Sequence, residues 1–178
     1  MAQRSIIYKA ELQIADIDRN YYADHALTLA RHPSETEERL MIRLLAFALY
    51  AGERLAFGNG LSTSDEPDLW IKDLTGRIDL WIDVGLPDEK LVRKACGRAA
   101  QVVVISYGGS KADIWWKQSA AALARCDNLK VWSLAPDATA QLQPLAQRLM
   151  KLNCTVQQGQ VWLNSETASA TLEPQALK

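Results

Sequence analysis

The sequence has few of the residues that build metal cages or disulfide frameworks. It contains three cysteines and two histidines in 178 residues. Cys96, Cys126 and Cys154 are far apart in the chain, and no CxxC pair occurs. Structural zinc sites need four clustered Cys or His ligands, and small disulfide-rich domains need several cysteine pairs. Neither class of protein is therefore expected.

The sequence also lacks any apolar stretch typical of a signal peptide or a membrane span. The segment MAQRSIIYKAELQIAD at the N-terminus has no apolar h-region and no small-residue cleavage site. The apolar stretch of the first predicted helix is interrupted by Arg39, Arg43 and Glu53. We therefore expect a cytoplasmic protein that does not associate with a membrane.

Common enzyme motifs are missing as well. The sequence contains no Walker loop, dinucleotide-binding fingerprint, GxSxG elbow or recognisable Ser/His/Asp set. The formal net charge is −1, with 48% hydrophobic and 23% charged residues. This balance is ordinary for one globular domain and excludes a uniformly basic protein that coats nucleic acid, although it is compatible with a local basic groove.

The order of predicted elements indicates an α/β or mixed α+β fold in a single domain over residues 1–178. Segments 5–14 and 21–30 are predicted to form an N-terminal hairpin, and Ser34 and Glu37 form a capping box that begins a helix. A glycine- and serine-rich connection over 57–65 follows. The remaining predicted elements are strands 69–72 and 77–84, helix 88–100, a strand at 101–107 buried on both faces, helix 110–124, strand 129–134, helix 137–149, and strands near 150–157 and 160–164. The residues from 166 to 178 are predicted to be irregular.

The stretch from Glu66 to Ala95 carries the strongest functional signal. Alternation along the strands directs Asp79, Trp81 and Asp83 to one side, and Asp68, Trp70 and Lys72 of the preceding strand can line the same face. Converging carboxylates beside a lysine are what a divalent-metal phosphodiesterase needs. The alternative interpretation is a solvated hairpin face on which Asp68 merely marks the start of a strand.

The chain resembles a known family in several segments. These are IIYKAELQIADIDRNYY, LTLARHPSETEERLMIRLLAFALYA, DEPDLW, GRIDLWIDVGLPDE and RKAC. Together they resemble the bacterial YaeQ family over nearly the full length, and LWIDVGLPDE is the most specific of them. The order of elements over residues 35–107 resembles the core of the PD-(D/E)xK nuclease superfamily. The resemblance implies a restriction-endonuclease-like core with a mixed central sheet, flanked by helices and completed by the C-terminal elements.

The resemblance also implies a set of site residues. Glu38, or Glu37, corresponds to the acidic residue of the first helix, Asp68 to the PD aspartate, and Asp83 to the acidic residue of (D/E)xK. The lysine of that motif would be residue 85, which here is Gly85. In some superfamily members the basic group lies on the following helix, where Lys94 is the first candidate and Arg93 the second.

Two functions follow from this assignment. In the first, Asp68, Asp83 and Glu38 hold Mg²⁺ or Mn²⁺ and Lys94 assists cleavage of nucleic acid, with Asp79 as an alternative ligand to Asp83. In the second, catalysis is lost, and the fold binds nucleic acid or a protein partner, such as one linked to transcription. Trp70 and Trp81 could stack on bases, or they could simply pack in the core. Arg31 with the first helix N-terminus could bind a phosphate, or the segment could only cap that helix.

Overall fold

The computed structural model describes residues 4–59, 61 and 65–178. The chain divides into two compact units: unit 1 comprises Met1–Leu49 and Asp137–Pro174, and unit 2 comprises Tyr50–Pro136 and Gln175–Lys178. Each unit contains one mixed β-sheet, so the predicted mixed α+β class is confirmed. Compact units are not necessarily independent domains, and the single domain over 1–178 therefore stays a prediction.

The described residues contain eleven strands and four α-helices. The strands are β1 (Ile6–Asp16), β2 (Tyr21–Arg31), β3 (Leu55–Phe57), β4 (Leu69–Lys72), β5 (Ile78–Val84), β6 (Ala99–Tyr107), β7 (Leu129–Leu134), β8 (Leu149–Gln157), β9 (Gln160–Asn164), β10 (Ser169–Leu172) and β11 (Gln175–Ala176). The helices are α1 (Glu37–Tyr50), α2 (Glu89–Arg98), α3 (Ser110–Leu123) and α4 (Pro136–Ala140), with a short 3-10 helix at Gln143–Leu145.

Unit 1 is built on the predicted N-terminal hairpin. Its five-stranded sheet has the order β10-β9-β8-β1-β2, in which β1 is antiparallel to β2 and parallel to β8. Alternate residues of β1 are buried from Tyr8 to Ile14, as expected for a sheet with one face on a core. Asn20 turns the hairpin with a φ of 54°, a left-handed conformation that asparagine tolerates well.

Helix α1 begins two residues later than the predicted capping box requires. The Thr36 hydroxyl oxygen accepts a hydrogen bond from the Arg39 backbone N–H at 3.1 Å, so Thr36 is the capping residue. Ser34 instead contacts the His32 ring at 2.6 Å. The assignment of Ser34 as the cap was therefore wrong, because the local His32 contact takes its hydroxyl away from the helix.

Unit 2 contains a six-stranded sheet of order β11-β7-β6-β5-β4-β3. Strands β5, β6 and β7 are parallel, and the helices α2 and α3 lie between them in the chain, as right-handed crossovers require. The buried run from Val102 to Ser106 confirms the prediction that β6 is covered on both faces. Strands β4 and β5 form an antiparallel hairpin in which Leu69 is opposite Ile82 and Trp70 is opposite Trp81.

Several details of the predicted order need correction. Where the sequence predicts one central sheet, the structure has two, because β8, β9 and β10 pair with the N-terminal hairpin. The helix predicted over 137–149 is only a short α4 followed by a 3-10 turn, and Pro144 lies in that turn. The C-terminal segment predicted to be irregular contains β10 and β11. The predicted connection 57–65 includes residues 60 and 62–64, which lie outside the described residues.

A search of the described residues found no helix with the length and hydrophobicity needed to cross a membrane.

Candidate functional site

The predicted site residues are divided between the two units. Glu38 lies in the first turn of α1, which belongs to unit 1. Asp68, Asp83 and Lys94 all belong to unit 2, where Asp68 directly precedes β4, Asp83 is the penultimate residue of β5 and Lys94 lies on α2. The geometry of the last three can therefore be described together.

Asp68 is a buried carboxylate, only 3% exposed, and it bonds to the backbone. Its Oδ2 accepts a hydrogen bond from the Val84 N–H at 2.7 Å, and its own N–H donates to the Ile82 carbonyl at 3.0 Å. The last ladder pair of these strands is Leu69 with Ile82. Beyond the end of β4, the Asp68 carboxylate thus supplies β5 with the hydrogen-bond acceptor that a paired strand residue would otherwise provide. A structural role for Asp68 follows from this geometry.

Asp83 lies between Ile82 and Val84, the two β5 residues whose backbone groups bond to Asp68. The carboxylate is half-buried, and its Oδ2 accepts a hydrogen bond from the Trp81 indole N–H at 2.9 Å. The two residues are two positions apart and therefore share one face of β5. This face is not the open polar face that the alternation suggested, because Trp81 is 4% exposed and packs in a hydrophobic cluster with Val92 and Ala95 of α2.

Asp79, the alternative ligand to Asp83, is bracketed by two arginines. Arg54 Nη2 lies 3.6 Å from one carboxylate oxygen and Arg77 Nε lies 3.6 Å from the other. Arg54 also donates a hydrogen bond to the Lys72 carbonyl. Two guanidinium groups compensate this carboxylate, and they compete with a metal ion for its oxygens.

Lys94 is exposed on α2, and its ammonium contacts Asp65. The Nζ to Oδ1 distance is 3.0 Å, and Arg98 donates a hydrogen bond to the Asp65 carbonyl oxygen. The hydrogen bond and charge of Lys94, with a smaller contribution from Arg98, lower the pKa of the Asp65 carboxyl below its usual value. The lysine predicted to serve the site is thus engaged by an exposed aspartate that sequence reasoning did not single out.

The position of the motif lysine is occupied by glycine for a backbone reason. Gly85 has a φ of 112°, a conformation that residues with a side chain rarely adopt. A Cβ added there would meet no atom within 4 Å, so space is not the obstacle. The chain leaves β5 through this conformation, which a lysine at the same position would strain.

Glu38 and Glu37 are half-buried acidic residues in the first turn of α1, where the helix dipole favours negative charge. The most buried carboxylate of this region is Glu35, which the sequence analysis did not select. Its oxygens accept hydrogen bonds from Arg39 and Arg43 at 2.8–2.9 Å. Glu35 anchors a buried ion-pair network at the start of the helix. The sequence offers a signal for it, since Glu35 and Arg39 are four residues apart.

Within the described residues, no three or more His, Cys, Asp or Glu side chains are placed to hold one metal ion. Magnesium often uses only one or two carboxylates, with water and substrate phosphate supplying the rest. Asp68 and Asp83 are the pair that could serve in this way, because the Asp68 carboxylate accepts a hydrogen bond from Val84, the residue next to Asp83.

A second feature of unit 2 is a pair of contacting indoles with a cation on each, here called the tryptophan ladder: Lys72, Trp70, Trp81 and Arg98. The Lys72 ammonium lies 3.5 Å from the Trp70 ring centroid. The Trp70 and Trp81 centroids are 6.2 Å apart in an edge-to-face arrangement, and the Arg98 guanidinium lies 5.0 Å from Trp81. These distances are typical of aromatic pairs and cation–π contacts. Strand alternation predicted that Trp70, Trp81 and Lys72 share one face, whereas no pattern in the sequence indicated that Arg98 would contact Trp81.

Several exposed cations surround the ladder. Five cations make the contacts described above: Arg54, Lys72, Arg77, Lys94 and Arg98. Three aspartates are bonded to these cations or to Trp81: Asp65, Asp79 and Asp83. Asp73 lies beside Arg77 as well, so the surface around the ladder combines exposed cations with carboxylates.

A groove in unit 1 has a different character. It lies on the solvent-facing side of the five-stranded sheet and has a volume of about 740 Å³. Its lining mixes Lys9 and Lys151 with Glu11 and Glu166. The mixed charge and the lack of aromatic side chains in this lining give it no clear chemical preference, so the ladder is the stronger candidate for a binding surface.

Comparison with known proteins gives a consistent result. Residues 1–174 match the family model described as YaeQ protein. An uncharacterised protein YaeQ of Salmonella typhi is 50% identical over 92% of this chain and 91% of its own length. The uncharacterised protein YaeQ of Escherichia coli K12 is 47% identical over 93% of this chain and 92% of its own length. The crystal structure of YaeQ from Xanthomonas axonopodis pv. citri, 54% identical, superposes with a TM-score of 0.95 over 98% of both chains. The crystal structure of YaeQ from Pseudomonas syringae, 35% identical, superposes with a TM-score of 0.93 over 98% of this chain and 96% of the other chain.

Proposed function

Because the chain belongs to the YaeQ family, whose similar curated members carry names that state no activity, we propose a function from the surface itself. The proposed function is the binding of single-stranded nucleic acid by the tryptophan ladder of unit 2. The observation that carries it is the Lys72–Trp70–Trp81–Arg98 stack.

The chemistry of the ladder suits an unpaired strand. Proteins that bind single strands combine cations along the phosphates with aromatic rings on which bases stack, at about 1–3 kcal/mol per base. Trp70 is half-buried and available at the surface, whereas Trp81 beneath it is buried and fixes the orientation of its ring. Lys72 covers Trp70 in the absence of ligand. A base would displace this ammonium, which would then be free to contact the neighbouring phosphate.

Charge supports the same proposal. Arg54 and Arg77 flank the ladder and are 51% and 68% exposed. Cations that neutralise phosphates release condensed counterions, so affinity should fall steeply with salt. The slope for single strands is roughly −0.7 per phosphate contact on logarithmic axes. Engagement of three or four of these cations gives a slope near −2 to −3 on the same estimate.

The test is fluorescence anisotropy with labelled oligodeoxythymidine and a duplex of equal length, at several salt concentrations. We expect tighter binding of the single strand, and a loss of about tenfold in affinity on Trp70→Ala, equivalent to roughly 1.4 kcal/mol. Lys72→Ala should weaken binding and lower the salt slope by just under one unit, roughly 0.7. Lys117→Ala, an exposed cation of α3 that is not part of the ladder, is the charge-matched control.

Two outcomes would overturn this proposal. Equal losses for Lys72→Ala and Lys117→Ala would mean that only the overall charge matters. No binding of either nucleic acid at low salt would direct attention to a protein partner instead.

A metal-dependent phosphodiesterase is the second candidate, supported by the bond of the Asp68 carboxylate to Val84, the residue that follows Asp83. In it, these two aspartates hold Mg²⁺ or Mn²⁺, and Lys94 stabilises charge that develops on the phosphate. Calorimetric titration of each metal into wild type, Asp83→Asn and Asp79→Asn tests the assignment. Loss of metal binding in Asp83→Asn alone supports Asp83 as the ligand, and loss in Asp79→Asn alone identifies Asp79 as the ligand instead. Metal binding that is unchanged in both variants contradicts the assignment.

Cleavage adds an independent measurement for this candidate. Lys94→Met should leave metal binding intact and abolish turnover of single-stranded substrate, because the lysine is assigned to the transition state rather than to the metal. Turnover that persists in Lys94→Met would remove that residue from the mechanism.

A further inference from the structure

A pair of cations on helix α2 lies at one end of the tryptophan ladder. Lys94 and Arg98 are four residues apart, so they project from the same side of the helix, and both side chains are exposed. Arg98 is already a member of the ladder, because its guanidinium lies 5.0 Å from the centroid of Trp81. Lys94 therefore adds a second cation at the Trp81 end of the ladder.

Both cations bond to one exposed residue, Asp65. The Lys94 Nζ lies 3.0 Å from Asp65 Oδ1, and Arg98 Nη1 donates a hydrogen bond to the Asp65 backbone carbonyl at 3.2 Å. The side chain of Asp65 is 73% exposed and that of Lys94 is 59% exposed. Because a single residue accepts hydrogen bonds from both side chains, the two cationic groups converge on one small area of the surface.

A phosphate group offers this pair better acceptors than Asp65 does. The Asp65 carboxylate bonds to Lys94, whereas the Asp65 group that bonds to Arg98 is a neutral carbonyl. A phosphodiester carries its negative charge on oxygens that an arginine binds with two parallel N–H donors, and such charged hydrogen bonds are about twice as strong as neutral ones. Exposed ion pairs contribute little to stability, so the exchange of Asp65 for a phosphate costs little.

We propose that Lys94 and Arg98 form a phosphate subsite of the tryptophan ladder, for which the Asp65 carboxylate competes with the phosphate of a bound strand. The inference rests on the proposed binding of single-stranded nucleic acid by the ladder. In the free protein Asp65 neutralises Lys94, and a strand that binds displaces the carboxylate. Lys72 then contacts a phosphate at the Trp70 end of the ladder, and Lys94 with Arg98 contacts another at the Trp81 end.

The competition predicts a change in the salt dependence of binding. A cation that neutralises one phosphate of a single strand contributes roughly 0.7 to the logarithmic salt slope. In wild type the displaced Asp65 carboxylate stays beside that phosphate and offsets the charge of Lys94. In Asp65→Asn the side chain is uncharged, so the contribution of Lys94 is complete. We expect Asp65→Asn to bind the strand about two- to fivefold more tightly, with a salt slope steeper by roughly 0.7.

The experiment measures fluorescence anisotropy of labelled oligodeoxythymidine at several salt concentrations. It compares the full-length wild type with Asp65→Asn, Lys94→Met and the double variant. The gain in affinity of Asp65→Asn should be absent from the double variant relative to Lys94→Met, because the cation that Asp65 releases is missing. A gain of equal size in both backgrounds would show that Asp65 acts through its general charge and would overturn the proposal.

Glu89→Gln is the matched control. Glu89 pairs with Arg93 of the same helix at 2.8 Å, so this variant also removes one carboxylate from an α2 cation. Arg93 is not part of the proposed subsite, and Glu89→Gln should change affinity by less than Asp65→Asn does. An increase in affinity for Glu89→Gln as large as that for Asp65→Asn would also overturn the proposal.

A second measurement separates this inference from the proposed function. Calorimetric titration of inorganic pyrophosphate tests the subsite without bases, and Asp65→Asn should bind it more tightly than wild type or the double variant does. If pyrophosphate binds in this order but oligodeoxythymidine does not bind, the proposed function is wrong and the anion subsite stands. If oligodeoxythymidine binding depends on Trp70, and Asp65→Asn has the affinity and salt slope of wild type, the subsite is wrong and the proposed function stands.

Discussion

The Asp68 carboxylate accepts a hydrogen bond from the backbone N–H of Val84 at 2.7 Å. This bond continues the pairing of β4 with β5 past the last strand pair, in a site where Asp68 is almost fully buried. An aspartate expected from its position to bind a metal therefore has a structural role that can be measured separately.

We predict that Asp68→Ala destabilises the fold by about 1–3 kcal/mol, because the buried Val84 N–H loses this acceptor. Asp68→Asn should cost less, since the amide oxygen can still accept the bond. Urea unfolding followed by tryptophan fluorescence measures the difference. Asp127→Ala, an exposed aspartate in the α3–β7 connection, is the control and should change stability by less than about 0.5 kcal/mol. Equal stability of Asp68→Ala and wild type would contradict the structural role.

Gly58 is predicted to be indispensable for the entry into β4. A Cβ built on Gly58 would lie 2.2 Å from the Pro67 carbonyl oxygen, which is backbone and cannot move aside cheaply. Gly58 also donates its N–H to the Asp68 carbonyl at 2.9 Å. We expect Gly58→Ala to destabilise the protein by several kcal/mol, as overpacking against backbone does, or to prevent folding.

Gly97 provides the matched glycine control for that prediction. It lies within α2, and a Cβ there would meet nothing within 4 Å. Gly97→Ala should stabilise the protein by roughly 0.5–1 kcal/mol through helix propensity. We expect Gly58→Ala to lower the thermal unfolding temperature and Gly97→Ala to raise it. A destabilised Gly97→Ala would show that helix propensity does not decide the effect at that position.

Local patterns predicted the elements well, whereas partners across long distances were not predictable. Alternation in 5–14 and the apolar run before Tyr107 depend on neighbouring residues, and both strands form as expected. The pairing of β8 with the N-terminal hairpin depends on contacts between residues far apart in the chain. The local periodicity of the sequence does not indicate such contacts. Sequence therefore predicted the class of fold but not its division into two sheets.

The candidate site shows the same limit. The spacing correctly placed Trp70 and Trp81 on one face, because strand alternation is local. It did not indicate that Asp79 would lie between Arg54 and Arg77, or that Lys94 would reach Asp65. Charged side chains form ion pairs with residues that the fold brings close to them, and these residues can be far apart in the chain. Only the structure could show that each aspartate is bonded to protein.

The buried pair of Glu35 and Arg43 is predicted to dominate the stability of the α1 N-terminus. Arg43 is 5% exposed and also donates to the Ala30 carbonyl of β2. Arg43→Met leaves a buried carboxylate with less compensation, and we expect a loss of about 3–5 kcal/mol in the free energy of unfolding. Arg39→Met is the comparison, because its side chain is more exposed and contacts the same carboxylate. Arg39→Met should lower the free energy of unfolding by less than about half the loss expected for Arg43→Met. A larger loss for Arg39→Met than for Arg43→Met would reject the assignment of Arg43 as the main partner.

The β4–β5 turn provides a prediction about pH. Asp73 Oδ1 accepts hydrogen bonds from the Thr75 hydroxyl at 2.7 Å, the Thr75 N–H at 2.8 Å and the Arg77 N–H at 3.0 Å. These bonds, that of the Thr75 hydroxyl first, lower the pKa of the exposed Asp73 carboxyl below its usual value. A depressed pKa in the folded state means that the carboxylate contributes stability above the unfolded pKa, and that this contribution is lost as pH falls through the folded pKa.

Thr75→Val tests this cause, because it removes the hydroxyl and retains both backbone donors. The pKa of the Asp73 carboxyl should then rise toward its usual value, as measured by NMR titration of the side-chain carbonyl carbon. Thr167→Val, in the β9–β10 connection of unit 1, removes an exposed hydroxyl elsewhere and should leave the Asp73 titration unchanged. If Asp73 titrates identically in Thr75→Val and wild type, the backbone N–H groups alone hold the carboxylate in its charged form.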